Sequence, residues 1–175
     1  MESTQAIEKL FKETFGNVYL FYRDTTLDPS LIAKYKPSQI IMERGFTDMA
    51  SFANGLSDNC RYTIVSASAK SLPQFNPELH AIGAAILPAG SYFKVLDVYT
   101  IGTQTQITLL QFPKYGLNFL KVNQFNAEKK MKSQLRIQFE QKLKEPILKE
   151  GASTDWKKRT SAPLGMSDDG VFFLN

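Results

Sequence analysis

The sequence predicts an α+β domain, and three of its features support that prediction. Short apolar or alternating runs recur over the first two-thirds of the chain and are typical of β-strands. Several of these runs are joined by short turns, which favour antiparallel pairing. Helical patterns, with apolar residues every three or four positions, precede and follow the strands. Strands grouped in this way between helices are typical of the α+β class.

The clearest strands lie between residues 84 and 112. The run from Ala84 to Leu87 ends at a Pro-x-Gly turn, and the next, from Ser91 to Val98, has alternating apolar positions. A Gly-Thr-Gln connection then leads to a third run, residues 106–112. Further strands are expected at 17–23, at 39–42, briefly after a turn at 45–47, at 61–68, at 117–122 and at 171–174.

Capping residues and apolar spacing predict three helices in the first third of the chain. The first covers residues 4–15, and the second covers residues 28–35, where Asp28-Pro29 supplies a cap and a proline in the first turn. Asp48 caps the third helix. The apolar residues of that third helix include Met49, Phe52 and Leu56.

A long helix is predicted over residues 126–145, and Pro146 ends it. Apolar residues recur along it every four positions and are expected to pack on the body of the domain. These residues are Met131, Leu135, Phe139 and Leu143. Residues 70–80 and 151–170 are predicted to be loops, because they are polar or contain several prolines and glycines.

Composition and length bound the class of protein. The chain has 175 residues, of which 43% are hydrophobic and 22% charged, values typical of one globular domain. Its single cysteine, Cys60, excludes an internal disulfide and disfavours a cysteine-built zinc site, so no metal site is predicted. No signal peptide and no apolar run of about 18 residues is present, so we expect a cytosolic protein or one secreted without a cleaved signal.

Positive charge is concentrated near the C-terminus. The net charge is +4, and residues 121–159 contain eleven Lys or Arg against five Asp or Glu. Such a segment is typical of a solvated helix face, but it could also bind an acidic partner. A nucleic acid or a membrane surface is not favoured as the partner.

Three short motifs follow one another in the first two-thirds of the chain. Tyr22-Arg23 ends an apolar strand, Gly45-Phe46-Thr47 follows it, and Leu87-Pro88-Ala89-Gly90 ends the strand at 84–87. This succession resembles that of the mono-ADP-ribosyltransferases. The resemblance covers about residues 17–112 and implies two packed, mostly antiparallel sheets around a cleft. We predict a single domain 1–175, with an ADP-ribosyltransferase-like core at 17–122 and a basic C-terminal helix and tail at 126–175.

The resemblance also implies site residues for NAD. Arg23 corresponds to the arginine that holds the NAD phosphates, with Tyr22 and Thr47 as further cofactor-binding residues. The two catalytic glutamates of the family correspond to Ile82 and Ala84, which carry no charge. The nearest carboxylate is Glu78, which is therefore the candidate for a displaced catalytic residue.

Three functions follow from these observations. The favoured hypothesis is a degenerate ADP-ribosyltransferase-like domain that acts as an NAD-binding or protein-interaction module. The first alternative is an active, NAD-dependent mono-ADP-ribosyltransferase, for example a secreted effector, in which Glu78 is catalytic. The second is an unrelated α+β domain that binds an acidic partner through its basic C-terminal helix. The sequence leaves open whether the chain is an enzyme.

Overall fold

The computed structural model describes residues 18–72, 79–114 and 125–174. Its strands are β1 (Tyr19–Thr25), β2 (Ile40–Glu43), β3 (Thr47–Ala50), β4 (Cys60–Ser66), β5 (Lys70–Ser71), β6 (Ala84–Leu87), β7 (Ser91–Ile101) and β8 (Gln104–Phe112). Its helices are α1 (Pro29–Ile32), α2 (Phe125–Lys142) and α3 (Thr154–Arg159), with a 3-10 turn at Glu150–Ala152 before α3. The predicted helix 4–15 and strand 117–122 lie outside the described residues.

The eight strands form one mixed sheet in two parts. Their order is β2-β7-β8-β4-β1-β3-β6-β5, and all neighbours are antiparallel except β4 and β8, which are parallel. The five-stranded part, β2 to β1, joins the three-stranded part, β3 to β5, at the pair Tyr22–Ala50. The main hydrophobic cluster contains residues from both parts, so they pack on each other across a common core. The α+β class is therefore confirmed.

Strand β1 separates this core from a second one. Phe21 points into the main cluster, whereas Leu20 and Tyr22 belong to a second cluster that lies under α2. Met131 and Leu135, from the predicted stripe of α2, are fully buried in that second cluster. Because side chains alternate between the two faces of a strand, β1 has two different buried faces. The site residues of β1 described below lie on one face or the other.

The helix predicted to begin at Asp48 is wrong. Residues 47–50 form β3, which pairs with β6 so that Met49 stands opposite Ala85. Met49 is completely buried in the main core. The spacing of apolar residues here allowed either a helix or a strand, and pairing with a distant strand decided the outcome.

The C-terminal region also differs from its prediction. The segment predicted as a loop contains α3, whose first turn is capped because the Ser153 hydroxyl accepts a hydrogen bond from the amide of Trp156 at 3.3 Å. The last predicted strand is reduced to one bridge between Met166 and Phe172. Helix α2 ends at Lys142, three residues earlier than expected.

Candidate functional site

Arg23 lies near the C-terminal end of β1 and points into the space between the two parts of the sheet. Its side chain is only 3% exposed. The guanidinium donates one hydrogen bond to the backbone carbonyl of Asp48 at 3.1 Å and another to that of Ala162 at 3.0 Å. Its Nε has no hydrogen-bond partner among the described residues. Burial lowers the pKa of Arg23, and nearby acidic groups, Asp48 and Glu43 among them, oppose that shift.

Two tyrosines extend the polar lining of this space. The Tyr35 hydroxyl donates to the carbonyl of Leu164 at 2.7 Å, and it lies 2.7 Å from the Tyr62 hydroxyl. The Tyr62 hydroxyl in turn accepts a hydrogen bond from the amide of Leu164 at 3.1 Å. Burial raises the pKa of both phenols, so both stay protonated at neutral pH. The pair therefore offers one hydroxyl that donates and one that accepts.

A carboxylate, that of Glu43, completes the lining at the end of β2. One of its oxygens accepts from the amide of Gly45 at 2.8 Å, and the other accepts from the amide of Gly165 at 2.7 Å. Together, these groups define what we call the cleft, lined by Arg23, Tyr35, Glu43, Thr47 and Tyr62. Sequence reasoning missed Tyr35, Glu43 and Tyr62. The one feature of the sequence that could have indicated them is the position of Glu43, directly after the predicted strand 39–42 and before Gly45-Phe46.

Residues 160–166, which we call the closing segment, cover the cleft. Leu164 and Met166 are almost completely buried and belong to the main core. Gly165 has φ +78°, and a Cβ there would lie 2.9 Å from the side chain of Ile41. The closing segment is therefore fitted closely to the body of the domain.

The positions of the two missing glutamates are covered by α3. Ile82 and Ala84 are almost completely buried and form an apolar cluster with Ala50 and Trp156. Trp156 comes from the first turn of α3 and is itself only 5% exposed. Trp156 thus packs against the positions at which the resemblance implies carboxylates, and Glu150 and Asp155 line the cavity beside it.

The structure brings some of the predicted site residues together and separates others. Thr47 shares a strand face with Met49, so it lines the same space as Arg23; its hydroxyl is buried and has no hydrogen-bond partner among the described residues. Tyr22 lies on the opposite face of β1, where its hydroxyl donates to the side chain of Gln138 at 3.3 Å. Glu78 lies outside the described residues.

The described residues contain neither a membrane-spanning helix nor a cluster of metal ligands. Within residues 18–72, 79–114 and 125–174, no helix is long and apolar enough to cross a membrane. No group of three or more His, Cys, Asp or Glu side chains in those ranges could hold a metal ion. Cys60 is buried, and burial raises the pKa of its thiol, so it is not an activated nucleophile.

No protein-family model and no curated protein matches this chain. Its fold is similar to those of ADP-ribosyltransferase effectors and toxins. A structure of the type III effector XopAI from Xanthomonas axonopodis pv. citri aligns with a TM-score of 0.49 and 15% identity, over 54% of this chain and 44% of that one. The ADP-ribosyltransferase HopU1 of Pseudomonas syringae pv. Tomato DC3000 aligns with a TM-score of 0.47 and 16% identity, over 54% and 45%.

The Vis toxin, an ADP-ribosyltransferase from Vibrio splendidus, aligns with a TM-score of 0.46 and 10% identity. That alignment covers 67% of this chain and 70% of the toxin. The chain thus spans less than half the length of the effectors XopAI and HopU1 with which it aligns. At these identities and TM-scores the likeness concerns the fold alone, and the activities of those proteins are not assigned to this chain.

Proposed function

We propose that this chain is a degenerate ADP-ribosyltransferase-like domain that does not cleave NAD and acts as a protein-interaction module. The observation that carries this proposal is the burial of Ile82 and Ala84 beneath Trp156. Transfer of ADP-ribose needs a carboxylate that stabilises positive charge as the bond to nicotinamide breaks. At the two positions where the resemblance implies carboxylates, the chain has apolar side chains and an indole instead.

The residues of the cleft do not fit NAD as the structure holds them. Two of the five N–H donors of Arg23 already donate to backbone carbonyls, and the side chain is 3% exposed. The closing segment covers the guanidinium that would have to meet the phosphates. Of the two forms of the hypothesis, an NAD-binding module and a protein-interaction module, these contacts favour the second.

The basic C-terminal helix has less support as the partner surface. Arg136 of α2 donates twice to the carboxylate of Asp97, at 2.7 and 2.8 Å, and Glu128 accepts from Lys94 at 2.7 Å. These contacts hold the helix to β7 of its own domain. The Arg136–Asp97 contact neutralises part of the positive charge of α2 within the chain, which favours a solvated or structural role for that face.

A nicotinamide-release assay tests the proposal. Wild-type protein at micromolar concentration, incubated with NAD, is expected to release no more nicotinamide than an enzyme-free control. Losing one such electrostatic group costs roughly 100-fold or more in rate, so an enzyme that used Glu78 would lose its activity in the Glu78→Gln variant. Because no activity is expected of the wild type, Glu78→Gln should leave the nicotinamide signal unchanged. Turnover that Glu78→Gln abolishes would overturn the proposal and make Glu78 the displaced catalytic residue of an active transferase.

A further inference from the structure

The first half of the closing segment is held by side chains that contact its backbone. The Thr25 hydroxyl donates to the carbonyl of Ser161 at 3.1 Å. The Arg23 guanidinium donates to the next carbonyl, that of Ala162, at 3.0 Å. The side chains of Ser161 and Ala162 themselves remain exposed. The cleft therefore binds the main chain at these two positions and places little demand on side-chain identity.

The second half of the closing segment is also held by side chains that contact its backbone, at two positions where the identity of the residue matters more. Tyr35 donates to the carbonyl of Leu164, whose amide donates to Tyr62. The amide of Gly165 donates to the carboxylate of Glu43 at 2.7 Å. Two successive residues of the segment thus have three backbone groups bonded to buried side chains. Polar groups at this depth need partners, so an occupant of the cleft must supply them.

Side-chain fit adds specificity at two adjacent positions. Leu164 is 1% exposed and inserts into the main core, where it acts as an apolar anchor. The next position accepts only a residue without a side chain, because Gly165 has a positive φ and lies against Ile41. The bound feature is therefore a main-chain turn that carries a Leu-Gly pair.

The hydrogen bonds that hold the closing segment join its main chain to side chains of the body of the domain. In this respect the segment resembles a bound peptide. In each strand pair of the sheet, by contrast, main chain pairs with main chain. Beyond the segment, the chain folds back on itself: the amide of Phe173 donates to the carbonyl of Gly165 at 2.9 Å, and Met166 bridges Phe172. Residues 160–174 thus form no strand pair with the sheet, so their release would break none; their other contacts with the body include the bond from Lys34 to the carbonyl of Gly170 at 2.7 Å.

We propose that the cleft is a binding groove for a peptide that makes a turn at a Leu-Gly pair, and that the closing segment occupies it in the resting chain. This inference rests on the proposed interaction function and names its class of partner. A tethered segment competes at an effective concentration on the order of millimolar, so a free peptide binds detectably only after the segment is displaced. The partner must therefore present a better-fitting peptide or act on a chain whose closing segment has been released.

The full-length variant Leu164→Asp tests the groove, because an aspartate cannot be buried in the main core without a large penalty. The probe is a fluorescein-labelled peptide with the sequence of residues 160–167, followed by fluorescence anisotropy. The variant is expected to bind it saturably, while wild-type protein at the same concentration does not. A probe with aspartate in place of its leucine should bind at least tenfold more weakly. A variant that is folded by circular dichroism and binds no probe would overturn the proposal.

A matched pair of carboxylate variants locates the binding. In the Leu164→Asp background, Glu43→Gln should weaken probe binding roughly tenfold, the effect expected when a hydrogen bond to a charged group is lost. Glu128→Gln, on α2 and bonded to Lys94, should leave affinity unchanged. Equal effects of the two substitutions would show that the probe does not bind in the cleft.

Hydrogen exchange of wild-type protein gives a second test that needs no variant. The amides of Leu164 and Gly165 are expected to exchange by local opening, at least tenfold faster than the amides of β4. If they exchange only with global unfolding, the closing segment is an integral part of the core and the proposal is wrong, whether or not Leu164→Asp folds. Absence of probe binding, or exchange of these amides only by global unfolding, would overturn the proposed groove alone. Release of nicotinamide from NAD would instead overturn the proposed function.

Discussion

Arg23 and Arg61 are both almost fully buried, at 3% and 1% exposure, and both donate to backbone carbonyls, but of the two only Arg61 has a carboxylate partner among the described residues. Arg61, on β4, donates to both carboxylate oxygens of Asp24, at 2.6 and 2.7 Å. Arg23 donates to two backbone carbonyls, and no ion pair is found for it among the described residues. Arg23 and Asp24 are neighbours in β1, so their side chains point to opposite faces of that strand. Arg61 meets Asp24 on one face, and Arg23 lies on the other.

The difference is between an arginine with a carboxylate partner and an arginine that donates only to backbone carbonyls. A buried bidentate ion pair is complete in itself, because each charge has its partner and a fixed geometry. A guanidinium that donates only to neutral carbonyl oxygens has no carboxylate bound to it, so it can exchange those acceptors for others. The second arrangement is the one expected of a side chain whose partner is a peptide main chain. If the cleft binds a peptide as proposed, the comparison gives Arg61 a structural role and Arg23 the binding role.

Replacing Arg61 is expected to have the larger effect on stability. Arg61→Met removes the partner of Asp24 and leaves its largely buried carboxylate unpaired, which costs about 3–5 kcal/mol of unfolding free energy. Urea unfolding followed by circular dichroism measures the change, with Lys158→Gln, an exposed lysine, as a control expected to fall within about 0.5 kcal/mol of wild type. A loss below about 1 kcal/mol would mean that the pair does not stabilise the fold.

Arg23→Met is expected to cost less, about 1–2 kcal/mol in the same measurement. It leaves two neutral carbonyls without a donor and removes the attraction to the nearby Asp48 and Glu43 carboxylates, but it breaks no ion pair among the described residues, and it removes the penalty for burying a guanidinium. A cost equal to that of Arg61→Met would contradict the comparison, because it would show that Arg23 has a charged partner that stabilises the fold.

Much of the fold was predictable from local pattern. The strands of the β6 to β8 region were found because each has its own turn and alternation. The cap at Asp28 is confirmed, since its carboxylate accepts from the amide of Ser30 at 2.8 Å. The helix expected from Asp48 failed because a four-residue window cannot show that Met49 pairs with β6, nearly forty residues away. Local signals fix elements with local partners, and distant pairing overrides them.

The candidate site was predictable only in part. Arg23 and Thr47 were found through a resemblance between short motifs, and the structure places both in the cleft. Their NAD-binding role, like that of Tyr22, is still a prediction. Tyr35 and Tyr62 carried no signal, because a tyrosine in an apolar run is ordinary core composition until its hydroxyl is shown to have a polar partner. The closing segment could not be predicted either, since its contacts join residues more than one hundred positions apart.

Titration calorimetry with NAD tests the central claim most directly. If Arg23 is committed to the closing segment, wild-type protein should show no saturable heat with millimolar NAD, and Arg23→Ala should behave identically. Saturable binding that Arg23→Ala weakens by about 1.5–3 kcal/mol, the scale of a hydrogen bond to a charged group, would show instead that the arginine holds the phosphates of NAD. That result would contradict the account.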